Sequence, residues 1–200
     1  AGLDIAVKAS AMINGDGILY AESELEAGIG GGSGKSNGTL TINSGTIYAT
    51  GGTDGYSAGI GGGSSGKGGT ITINGGTVVA VGGLYAAGIG GGFLCSGGTV
   101  TINGGTVTAI GGKEGAGIGG GSGGNGGTVV INGGSVKAIA GTGADDIGNG
   151  NNCKTEFAGI YNSNGDNVSK LTVSLSGFER VYQNSIENAP ITAGHPDDEN

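Results

Sequence analysis

Along the middle of the chain, apolar and polar residues alternate in short runs that return in the same order. In GTITI, Thr70 and Thr72 take one parity and Ile71 and Ile73 the other; after Asn74-Gly75-Gly76, TVVAV returns Val78 and Ala80 to the apolar side. Alternation over four or five residues is the mark of a strand with one buried face, and the stiff β-branched side chains of Ile, Val and Thr suit a pleated surface better than a helix. A third run, AGIGGG, offers Ala58 and Ile60 on one parity. The pattern predicts three short strands separated by three turns, and an all-β chain.

The same unit recurs. AGIGGG begins at Ala27, Ala58, Ala87 and Ala116, with a degraded copy, DDIGNG, at Asp145, so that Ile29, Ile60, Ile89, Ile118 and Ile147 follow one another at sequence separations of 31, 29, 29 and 29. An asparagine in the turn between the first two strands, at Asn14, Asn43, Asn74, Asn103 and Asn132, runs in phase at 29, 31, 29 and 29. The longer interval of each series contains TDGYS, which places the two extra residues in one longer loop. Three strands in a unit of this length describe one coil of a parallel β-helix, which cannot bury a core alone but can in a stack. A β-propeller blade would need about 40–50 residues and antiparallel hairpins. The predicted fold is a right-handed, three-sided parallel β-helix of five to six coils over residues 1–177, with a partial sixth coil at 157–177 and a C-terminal cap and polar tail at 178–200.

Stacking assigns roles to the invariant positions. Equivalent residues in successive coils lie about 4.8 Å apart, so Ile13, Ile42, Ile73, Ile102, Ile131 and Ile160 are expected to form one interior column, and the turn asparagines a ladder of amide hydrogen bonds. The glycines of AGIGGG suggest a face where backbones approach closely. Cys95 and Cys153 are two coils apart with Gly124 between them. Straight stacking holds their α-carbons about 9.6 Å apart, beyond the disulfide limit of about 7 Å, so free thiols are expected unless the loops lean together over Gly124.

Composition and charge then exclude several functions. Fifty-three glycines in 200 residues would signal disorder without a period; with one, they are structural. The net charge is −8 and the 8 basic residues are spread singly, which excludes a nucleic-acid partner. No apolar run is long enough for membrane insertion, and the amino terminus has no leader pattern, so the chain reads as mature or as excised from something longer.

The run AGIGGG…GGTITINGGTV is similar to Gly-rich repeats in large surface and secreted proteins of Gram-positive gut bacteria. It more distantly resembles right-handed β-helix domains that bind plant polysaccharides such as cellulose and pectin. The resemblance covers about residues 10 to 150. It implies an extracellular or cell-surface, non-catalytic, adhesive or carbohydrate-binding role, with a polysaccharide or cell-surface glycan as partner. Other parallel β-helices resemble polysaccharide lyases and hydrolases, whose chemistry needs carboxylates on one outward strand face. Here those positions hold Thr, Ser, Met and Val on the first strand, and Tyr48, Val79, Thr108 and Lys137 on the second, which argues against an enzyme.

Three outward groups remain. Tyr56 and Tyr85 stand two residues before the alanine of AGIGGG in adjacent coils, and their rings could stack on sugars while Asp54 and Glu114 accept hydroxyl protons. Thr39, Thr41, Thr70, Thr72, Thr99 and Thr101 form a grid that resembles the flat face of ice-binding solenoids, the alternative reading, though solvent-facing Thr is also a good strand residue. Asp145 and Asp146, with Asn162, Asn164 and Asp166, resemble a loose calcium loop that lacks a closing Glu. No other cofactor is indicated. A solenoid also ends in open strand edges, so head-to-tail self-association, in the limit a filament, is a variant of the structural reading.

Overall fold

The computed structural model describes residues 2–155, 157, 159–161, 164 and 165, together with the backbone of strands Thr172–Leu175, Glu179–Gln183 and Pro190–Ala193. These residues contain strands and turns and no helix. The chain winds through three sheets in turn. The first stacks the Thr strands Ser10–Ile13, Thr39–Ile42, Thr70–Ile73, Thr99–Ile102 and Thr128–Ile131, closed by Ile160–Tyr161. The second stacks the five-residue strands Ile18–Glu22, Thr46–Thr50, Thr77–Val81, Thr106–Ile110 and Ser135–Ile139. The third stacks two-residue Ile-Gly strands from Ile29–Gly30 to Ile147–Gly148, with Leu3–Asp4 at its edge. Within the coils every neighbouring pair is parallel and in register with the repeat, as in Ile42↔Ile73, Ile102↔Ile73 and Ile102↔Ile131.

Alternation puts the predicted residues inside. Ile71, Ile73, Val78, Ala80 and Ile60 are fully buried, and their counterparts in the neighbouring coils repeat the set. The interior is therefore a bundle of like-on-like columns. One column ends sooner than the sequence suggests: Ile160 pairs with Val129, not Ile131. The step from Ile131 to Ile160 matches a regular coil in length, but the chain pairs Ile160 one inward position earlier. The last Ile therefore covers the Leu40–Ile71–Val100–Val129 column instead.

The asparagine ladder forms. The Asn43 amide nitrogen donates to the Asn14 side-chain oxygen, Asn74 to Asn43, Asn103 to Asn74 and Asn132 to Asn103, each at 2.7 Å. Each inner amide both gives and receives, so the turn keeps one geometry from coil to coil. The last rung, Asn132 Oδ1, is buried without a hydrogen-bond partner among the described residues.

AGIGGG is less a straight strand than an arch. The Ala58 N–H donates to Gly62 O at 2.9 Å, Ala87 to Gly91 at 3.0 Å and Ala116 to Gly120 at 3.0 Å, which closes the chain on itself and drives the central Ile into the core. The residue after that Ile must take a positive φ, 138° at Gly90, and a Cβ there would fall on the Gly119 carbonyl oxygen of the next coil. No side chain fits that slot. Loops flank the arch on both sides and stack through their own backbone bonds, Gly83 N–H to Ser57 O at 2.9 Å and Gly92 N–H to Gly66 O at 2.9 Å. They form an outer lobe of glycine-rich backbone over the Ile-Gly sheet. Beyond the coils, Pro190–Ala193 continues the second sheet in parallel with Ser135–Ile139, and the antiparallel strands Glu179–Gln183 and Thr172–Leu175 follow it.

Three substitutions test this packing. Ile73→Asp places an unpaired charge in the interior column and should abolish folding, read as loss of soluble, cooperatively melting protein. Gly90→Ala should lower the melting temperature severely, whereas Gly17→Ala, where a Cβ meets nothing within 4 Å, should leave it almost unchanged. Asn103→Ala removes two rungs and should cost about 1–3 kcal/mol in equilibrium denaturation; no loss would mean that the ladder contributes nothing to stability.

Candidate functional site

Many of the side chains with chemical character collect on the outer lobe, because the inward strand positions are taken by Ile, Val, Leu and Ala. Closing an arch brings together the loop residues just outside its ends. Tyr85 stands two residues before Ala87 and Phe93 two residues after Gly91, so closure of that arch sets the two rings 5.6 Å apart at 45°. Tyr56, one coil earlier, lies 5.4 Å from Tyr85 and 5.6 Å from Phe93. Backbone bonds fix the trio: Phe93 N–H donates to Tyr56 O at 3.0 Å, and Ser122 N–H to Tyr85 O at 2.8 Å. The three rings form a ridge along the rod. Reading AGIGGG as a strand concealed Phe93; reading it as a closed arch pairs Phe93 with Tyr85 directly.

The ridge separates two open grooves and divides the four sequence-predicted residues between them. Tyr85 and Glu114 line one groove with Phe93, Cys95, Lys67 and Lys154. Tyr56 and Asp54 line the other with Leu25, Glu22, Glu24 and Glu26. The four therefore do not form a single cluster. In the first groove, the Glu114 Oε2 accepts a hydrogen bond from Ser122 Oγ at 2.9 Å, which holds the carboxylate against the wall. Leu94, in a left-handed conformation at φ 61° and 60 % exposed, projects over Gly123 of the next coil, where a Cβ would lie 2.7 Å from its Cδ2.

Cys95 and Cys153 both line this groove as free, half-buried thiols, with Gly124 in the rung between them. Burial pushes the Cys95 thiol above its ordinary pKa, and the nearby Lys67 ammonium pulls in the opposite direction more weakly. Cys95 is thus held as the neutral thiol around pH 7, a poor nucleophile and a poor metal ligand.

The other candidates are placed as follows. Thr39, Thr70 and Thr99 form one outward column and Thr41, Thr72 and Thr101 a half-buried one, with Met12 and Val130 at the ends of the second. Thr46, Thr77 and Thr106 add a further column beyond the asparagine turn. Tyr20 and Tyr48, which parity places outward on adjacent five-residue strands, stack face to face at 5.0 Å and 9°. Asp145 Oδ2 accepts the Asn149 N–H and Asp146 Oδ1 the Ala140 N–H, each at 2.8 Å, so both carboxylates engage the local backbone. Asn164 is exposed, and Asn162 and Asp166 lie outside the described residues. Among the described residues no group of three or more His, Cys, Asp or Glu is placed to hold a metal.

The thiol makes the site's electrostatics measurable. Alkylation of Cys95 by iodoacetamide, followed in a Cys153→Ser background, should be slower at pH 8 than that of a free cysteine and should keep rising as the pH passes 9. Lys67→Gln should slow it further at pH 8, because removing the ammonium raises the thiol pKa again. Faster alkylation in that variant would contradict the arrangement of the groove.

A family model described as beta helix repeat matches residues 40–64, 71–93 and 100–122. No curated protein and no solved structure matches the chain. Each matched segment starts at an inward residue of a Thr strand, Leu40, Ile71 or Val100, and ends in the loop beyond the arch, at Ser64, Phe93 or Ser122. The match thus falls on three successive coils in the same phase, and the chain is a parallel β-helix repeat protein.

Proposed function

We propose that this β-helix is a non-catalytic, extracellular binding module whose ligand is a polysaccharide, and that the ridge of Tyr56, Tyr85 and Phe93 is its contact surface. The observation that carries this reading is the ridge itself, three aromatic rings within 5.6 Å of one another on the outer lobe. The chain has six Tyr and three Phe; among the described residues the buried interior uses Ile, Val, Leu and Ala, with Phe157 packed against its end. Rings on a loop have no part in filling the core. They offer apolar faces to the C–H surfaces of sugar rings, while Glu114, Asp54 and the backbone carbonyls of the loops accept hydroxyl protons. A rigid rod carrying variable loops is also a common way to hold a recognition surface. The resemblance of AGIGGG and GGTITINGGTV to Gly-rich repeats of bacterial surface proteins, read from the sequence alone, is what implies the extracellular setting, and an adhesive or scaffolding role at a cell surface follows from the same reading.

A glycan array identifies the ligand class, and titration calorimetry with a binding oligosaccharide then tests the ridge. Tyr85→Ala and Phe93→Ala should each weaken binding by about 1–3 kcal/mol. Thr72→Ala and Thr101→Ala, on the Thr sheet, should leave the affinity unchanged. Thermal hysteresis that the threonine substitutions abolish and the aromatic ones do not would replace the polysaccharide reading with ice binding. Release of shortened products from any bound glycan would replace it with an enzyme.

A further inference from the structure

The two grooves beside the aromatic ridge differ in charge, and that difference selects a ligand. The groove along Tyr56 has four carboxylates, Glu22, Glu24, Glu26 and Asp54, and no basic residue. The groove along Tyr85 and Phe93 has two lysines, Lys67 and Lys154, against the single carboxylate of Glu114. In a chain whose net charge is −8 and which has only 8 basic residues, two ammonium groups in one groove set it apart from its surroundings.

Their positions follow from the repeat. Lys67, Ser96, Asn125 and Lys154 occupy one rung position in four successive coils, each a full repeat after the last, and all four line the groove. Backbone bonds tie the first three together, Gly68 N–H to Ser96 O at 3.0 Å and Gly97 N–H to Asn125 O at 3.0 Å. At the last step the Gly126 N–H donates to Asn149 Oδ1 at 2.8 Å instead, and Lys154 is placed by the turn before it, where Cys153 N–H donates to Gly150 O at 3.3 Å as Cys95 N–H does to Gly92 O. Three coil steps separate the two lysines by about 14 Å along the rod axis. Both side chains are exposed, so neither ammonium is spent inside the fold. Between them run a polar edge, Ser96 and Asn125, and a floor of small residues, Cys95 and Gly124. The wall carries Tyr85 and Phe93. A groove of this kind runs lengthwise, is charged at both ends, and has hydrogen-bonding groups and aromatic rings between.

We propose that this groove holds an acidic polysaccharide strand laid parallel to the rod axis, with uronosyl carboxylates on Lys67 and Lys154 and an intervening sugar against Tyr85 and Phe93. The inference rests on the polysaccharide reading and specifies its ligand class. Charge complementarity is the argument for the occupant: the ammonium groups attract a polyuronate, and the four carboxylates across the ridge repel it, so the strand has one side of the ridge on which to lie. Glu114 opposes the same ligand and sets a limit on its affinity.

The test compares two probes on the full chain by titration calorimetry at low salt, a galacturonate hexasaccharide and the neutral cellohexaose. The acidic probe should bind at least tenfold more tightly, and the advantage should fall as salt is raised. Lys67→Gln together with Lys154→Gln, both at exposed positions, should remove that advantage, so that the acidic probe binds no more tightly than cellohexaose. Glu114→Gln, which retains an acceptor for Ser122, should strengthen the acidic probe several-fold. Equal affinities for the two probes, or a lysine double variant that keeps the acidic preference, would overturn the inference. If Tyr85→Ala then abolished binding of both probes, the polysaccharide reading would survive without it. If neither probe binds and no glycan on an array does, both fail together.

Discussion

Every coil of this protein has to lie within hydrogen-bonding distance of the next along its whole perimeter, and the tightest place in that stack determines what the rest of the sequence can be. At the arch, the carbonyl oxygen of one coil occupies the volume where the previous coil would carry a Cβ. Gly61 meets Gly90 in this way, Gly90 meets Gly119, and Gly119 meets Gly148. The same residues hold positive φ values between 138° and 149°, a region open to glycine and strained for any other residue. With the arch so constrained, its central Ile must point inward, since closure of Ala N–H on Gly O leaves it nowhere else to go. The neighbouring wall must then be small, which is why Ala49, Ala80, Ala109 and Ala138 stand opposite; a Cβ at Gly117 would already lie 3.0 Å from that of Ala138.

Most of this was legible in the sequence because a solenoid repeats its constraints. Two markers in phase, the isoleucine of AGIGGG and the turn asparagine, are enough to give coil length, strand parity and the columns of the interior, since equivalent residues must meet. The ladder at Asn14, Asn43, Asn74, Asn103 and Asn132 and the placement of Gly124 between two free cysteines follow from the same rule. Where the repeat decays, legibility is lost. Ile160 keeps the spacing of its predecessors, yet GTVVINGG has no counterpart around it, and without the Thr strand and its asparagine turn nothing holds Ile160 opposite Ile131.

The outer lobe was harder to read for a different reason. Its residues are related across an arch, and not only by coil spacing. Tyr56 and Tyr85 are found by repeat arithmetic because they share one position; Phe93 shares none with them and stands where the flanking coils have Ser64 and Ser122. Only the closed geometry of Ala87 to Gly91 brings it to Tyr85. The same closure explains why Asp54 and Glu114, neighbours of the tyrosines in sequence or repeat position, end on opposite sides of the ridge. Parity does place Tyr20 opposite Tyr48 on adjacent strands, where the two rings stack face to face.

The architecture therefore separates two kinds of position. Inside, and along the arches, like must sit on like, and a change in one coil is felt by the coils above and below. On the loops, a column such as Lys67, Ser96 and Asn125 keeps its spacing because its backbone is tied to the stack, while its side chains are free to differ from rung to rung. Such a column is a ruler whose marks can be changed one at a time without disturbing the rod. A polymer that repeats along its own axis is the natural ligand for such a ruler: each rung meets a successive unit, and weak contacts at several rungs act on one rigid strand. The glycine-rich arches, which make the stack intolerant of change, are thus the condition for a surface whose chemistry can vary.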